Sequence, residues 1–184
     1  MSLLGFCEWL AGTAWSIALH ESLYAYPLVE TTHVLSLLLF VGSVSVVDFR
    51  LLGFLFRDVP VSELTSRVLP FTVAGFALAV ASGVLLFYAV PVRTYQSLFF
   101  RIKVVMLLAA GLNALLFHRH AQRSALAWDR LPTPPRRVRA AGAVSLFAWV
   151  MVIAMGRMIA YNWFDCDRQP QPDFVNWAAG CVVE

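Results

Sequence analysis

His33 and Glu30 lie three residues apart in an apolar stretch, where ionisable side chains are costly and mark functional candidates. Three residues apart on a helix, they share a face. An imidazole there can ligate haem iron, ligate Cu(I) beside a thioether, or hydrogen-bond a quinone-like head group. Arg101, Lys103 and Arg157 interrupt other apolar stretches. Three cations against one carboxylate leave room for an anionic group such as haem propionates, a quinone-like head group or an organic acid. Glu30 would orient His33 or one of those cations. The structural alternative is an ion network that locks helices together, with Arg101 and Lys103 snorkelling outward.

Counting depth at about 1.5 Å per residue places Met106 and Met155 in the layer of His33, and His with Met is an axial pair for haem iron, here expected as haem b. Met155 or Met106 is thus the expected second metal ligand, with His20 as an alternative if the N-terminal helix folds over the outer mouth. Met151, Met155 and Met158 recur at helical spacing and would form a Cu(I) route, although such a stripe in a bundle is more often packing. His118 and His120 lie about eleven residues deeper, roughly 16 Å, and cannot share an iron with His33. A single Glu-x-x-His quartet is too little for a di-iron site, which needs a second pair and two more carboxylates. Asp48, with Arg50 beside it, reads as a helix-end ion pair. There is no Gly-x-Ser-x-Gly, Walker loop, dinucleotide fingerprint or Cys-x-x-Cys, so hydrolysis and nucleotide chemistry have no support.

These residues need long apolar helices to hold them. Of 184 residues, 60% are hydrophobic and 14% charged, and the mean hydropathy is +0.72. A soluble fold of this size buries only about 70% of its surface and could not hide so much apolar side chain. The expectation is all-α, a polytopic membrane bundle of four helices with an N-terminal amphipathic helix, the alternative being that this helix is a fifth span. The spans are about Leu23 to Phe49, Leu69 to Val92, Ser97 to Phe117 and Ala140 to Trp163. Residues 1–22 form an interfacial helix without the basic start of a signal peptide, 23–163 the transmembrane domain and 164–184 a periplasmic tail.

Arg50, Arg57 and Arg67 follow the first span, and six more arginines lie between the third and fourth. The positive-inside rule then puts these loops in the cytoplasm and both termini in the periplasm, in a bacterial inner membrane. On that oxidising side Cys166 and Cys181 can pair, leaving Cys7 unpaired. The bilayer is the first partner, and nucleic acid is excluded despite an isoelectric point near 9.0. Gly75, Ala79 and Gly83 form a small-residue ladder that suits packing within the chain or a homo-oligomer seam.

The stretch Glu21-Ser-Leu-Tyr-Ala-Tyr-Pro-Leu-Val-Glu-Thr-Thr-His33, followed by Asp48-Phe-Arg-Leu-Leu-Gly53, resembles a family of small bacterial inner-membrane proteins of unknown function. The resemblance implies a shared fold and location, and no reaction. The two histidine pairs of di-haem cytochromes b are not matched. The expected role is a small redox-linked subunit that holds a haem or quinone-like cofactor near the periplasmic leaflet. It would relay electrons to another membrane or periplasmic redox protein rather than act as an enzyme alone. A cofactor-free assembly subunit and a Cu(I)-handling or small-solute transporter are the other two classes.

Overall fold

The computed structural model describes residues 2–161 and 163–181; the side chains of residues 120–126 are not described, so the expectations for His120 and Arg123 fall outside it. The architecture is all-α. Helices α1 (Leu3–Ala11) and α2 (Ala14–Glu21) precede the long α3 (Ala25–Leu52) and α4 (Val61–Ala89). A short α5 (Pro91–Tyr95) leads to α6 (Leu98–Trp128) and α7 (Arg136–Ile159), and α8 (Asp173–Ala179) ends the chain. Among the described residues four segments are long and apolar enough to cross a membrane: Ala25–Leu52, Val61–Ala89, Leu98–Arg119 and Arg136–Ile159.

The N-terminal stretch is two helices of 9 and 8 residues. Neither has the roughly 20 residues that a single helix needs to cross a membrane. Thr13 breaks the pair by capping α2, its hydroxyl accepting from the Ser16 backbone N–H. The same hydroxyl meets the Tyr88 hydroxyl at 2.8 Å, and Ser16 donates to the Tyr88 carbonyl at 2.7 Å, tying both short helices to the end of α4.

Helix α4 begins at Val61, eight residues before the first uncharged stretch. The carboxylate of Asp129 accepts from the Ser62 backbone N–H and hydroxyl, both at 2.7 Å, and so caps the helix from a distant loop. Anions are favoured at a helix start, and the polar first turns extend beyond the apolar span. Pro70 is accommodated inside α4.

The chain forms two compact units, to both of which the four long helices contribute. One comprises Leu35–Leu78 and Met106–Met151. Its apolar centre is Leu51, Val61, Trp128 and Val138, with Val47 and Phe117 packed against them. The first small residue of the α4 ladder acts here: a Cβ at Gly75 would lie 2.7 Å from the backbone nitrogen of Phe40. Helix α3 of the same chain therefore already occupies that position of the expected oligomer seam.

The other unit comprises Met1–Val34, Ala79–Val105 and Val152–Glu184. Its tail is held by a disulfide between Cys166 and Cys181 and by an isolated bridge pairing Ser97 with Asp165. Cys7 is a buried free thiol. Gly180 closes α8 in the left-handed conformation (φ 72°), a geometry glycine adopts without strain. It lies against the Arg101 guanidinium.

Candidate functional site

His33 sits one-third of the way along α3, half-buried against α4. Its Nδ1 lies 3.0 Å from the hydroxyl of Ser82, a buried residue, and the ring also hydrogen-bonds the backbone carbonyl of Ala79. Ser82 itself turns back to the Ala79 carbonyl at 3.3 Å. The third small residue of the ladder provides the clearance, since a Cβ at Gly83 would stand 3.2 Å from His33 Cε1. A serine, a carbonyl and a glycine on one turn of α4 thus fix the ring on one side.

Lys103 approaches from α6. Its ammonium rests over Gly156 of α7, 3.1 Å from where a Cβ would be. It is half-buried and close enough to act electrostatically on His33. No carboxylate pairs with it among the described residues. In an apolar segment, an ammonium left without a counter-ion is a strong attractor for an anion or an electron-rich oxygen.

The remaining expected site residues stand elsewhere. Glu30 is exposed and pairs with none of Arg101, Lys103 or Arg157 among the described residues. It is three residues from His33, about 60° around the helix, enough to leave it on the outer side while His33 turns inward. Arg101 lies over the Tyr95 ring at 5.1 Å and donates to the Tyr95 carbonyl at 3.4 Å. Arg157 is exposed and lies over the Tyr161 ring at 5.3 Å. Both guanidiniums thus face aromatic rings near the helix ends.

His20 packs edge-on to Tyr26, with ring centroids 6.1 Å apart. Met106 and Met155 are half-buried. Among the described residues no group of three or more His, Cys, Asp or Glu side chains could hold a metal ion.

Two further polar sites had little signal in the sequence. Arg50 is fully buried at the arginine-rich end, donating to the carbonyls of Val59 (2.8 Å), Leu131 (3.0 Å) and Asp129 (3.5 Å). The expected Asp48–Arg50 ion pair is absent among the described residues: two positions apart on a helix, the side chains diverge by about 200°. Asp48 instead hydrogen-bonds Ser145 of α7.

In the other unit, Asp165 is 1% exposed, with Arg93 Nε at 3.7 Å and Ser97 close by across the isolated bridge. Burial pushes its carboxyl above the ordinary range, while Ser97 and Arg93 pull it back. Burial, with the charge of Glu8, likewise pushes the Cys7 thiol up. Nearby, Ala11, Ser16, His20, Glu21, Ala89 and Arg93 help to line a cavity of about 340 Å³.

These features define an all-helical, multi-pass membrane protein with a histidine and a lysine together inside the spans. The chain belongs to a family of unknown function, DUF6644, whose model matches residues 11–162. No curated protein and no solved structure matches it.

Proposed function

We propose that this protein is a small redox-linked subunit of a bacterial inner membrane, holding a quinone-like cofactor near the periplasmic leaflet. The observation that carries the reading is Lys103, half-buried inside the spans within electrostatic reach of His33 and paired with no carboxylate among the described residues. A quinone carbonyl accepts hydrogen bonds, and its oxygens gain electron density as electrons are added; an ammonium near an imidazole suits both. Lys103 would hold one carbonyl oxygen and His33 the other.

Oxidation of a bound quinol releases two electrons and two protons. A membrane or periplasmic one-electron carrier would take the electrons in succession, and the protons would leave to the periplasmic water, the first by way of His33. Arg101 and Arg157, at the edge of the layer, would attract an anionic head group toward it. Localisation rests on the arginine-rich loops and on the Cys166–Cys181 disulfide, which favour periplasmic termini.

The test is to purify the protein in detergent, extract it for lipid-soluble quinone, and record absorption spectra before and after dithionite, with metal analysis. The expected result is stoichiometric quinone in the wild type, lost in His33→Ala and in Lys103→Met. A Soret band that shifts on reduction would replace the quinone with haem b on His33, with Met155, Met106 or His20 as second ligand. Stoichiometric copper would make the protein a Cu(I) handler, and a sample with neither quinone nor metal would make it an assembly subunit.

A further inference from the structure

Asp48 is the most anomalous charge-bearing side chain in the spans. It lies in α3, is 4% exposed, and so is shielded from lipid as well as from water. Its Oδ2 has no hydrogen-bond partner, and no cation pairs with it among the described residues. The neighbouring Arg50 is committed to carbonyls. The one polar group on the carboxyl is the hydroxyl of Ser145, itself buried. Gly142 brings the α7 backbone close to the α3 backbone here: a Cβ there would lie 3.1 Å from the Asp48 main-chain carbonyl oxygen. The orphaned Oδ2 is itself buried.

A bare carboxylate in such a place is penalised far more than a neutral acid, because desolvation acts on the charge. A neutral acid fits the geometry. Its hydroxyl donates to Ser145 Oγ, and the orphaned Oδ2 becomes a carbonyl oxygen, the polar atom least costly to leave unmatched. We propose that Asp48 is a proton-binding site, carrying a carboxylic acid that Ser145 orients inside the bundle. It lies fifteen residues, about 22 Å, along α3 from His33. The proposal does not rest on any cofactor at His33.

A hydrophobic carbodiimide tests it directly on the intact protein in detergent or in liposomes. The acid O–H adds across one C=N bond of the reagent: oxygen bonds to carbon, the proton goes to nitrogen, and nothing is lost. A carboxylate lacks the proton this step needs. The expected result is one adduct by intact mass, mapped to the peptide that contains Asp48 and missing from Asp48→Asn. Infrared spectra of the wild type supply a measurement that needs no variant. They should show an acid C=O stretch that shifts in heavy water and moves again in Ser145→Ala. Labelling confined to other carboxyls, or an infrared spectrum with carboxylate bands only, would overturn the proposal. So would protection of Asp48 by sodium, which would make the site a cation site.

Discussion

Two substitutions on α4 probe the setting of His33. Ser82→Ala removes the hydroxyl 3.0 Å from Nδ1. Leaving a buried polar partner unmatched costs about 1–3 kcal/mol. The expected outcome is lower resistance to denaturation and weaker quinone retention. Gly83→Val would place methyl groups against the ring, because even a Cβ comes within 3.2 Å of it. Quinone retention should fall as far as in His33→Ala, a comparison that extraction of both variants would make. Arg50 affords a separate check at the other end of the bundle. Arg50→Met strips the donor from the Val59 and Leu131 carbonyls and should lower the unfolding midpoint with cofactor content unchanged. At this scale the sequence pointed to His33 and Lys103, because a charge among apolar neighbours stands out. It could not point to Ser82 or Gly156, whose residue types are common in membrane helices and whose roles come from facing another helix. Nor could residue spacing reveal that Arg101 and Arg157 lie over tyrosine rings while Glu30 faces outward.

The helices themselves were legible because hydropathy over about 20 residues is a long signal. Their ends were less so: α4 starts at a polar turn capped by Asp129, 67 residues further on, an interaction that no local pattern encodes. The spacing of α3 and α4 depends on Gly75. A methyl group there would press on the Phe40 backbone at 2.7 Å, so Gly75→Ala should destabilise the packed helices by about 1–3 kcal/mol. A denaturant titration followed by helical circular dichroism would register it. The tail after α7 carries a different prediction. The Asp165 carboxyl is pushed up on folding, so the folded state holds its proton more tightly than the unfolded chain. Its contribution is therefore present at low pH and is lost as pH rises from about 4 through the folded-state value. Tail stability, read by limited proteolysis, should fall across that range in the wild type and stay flat in Asp165→Asn.

An even number of membrane-length helices leaves the regions before α3 and after α7 on the same side of the membrane. The proposed topology puts both in the periplasm, so reporter enzymes that work only after export should be active when fused after α7 and inactive in the α3–α4 loop. The closed tail then carries a consequence in time rather than in space. Ribosomes deliver Cys166 and Cys181 after α3, α4, α6 and α7 have been made, and the Gly180 turn meets Arg101 at the end of that closure. The outer face of the molecule would be the last part to mature, and a cell short of thiol oxidant would accumulate chains that are inserted yet unfinished.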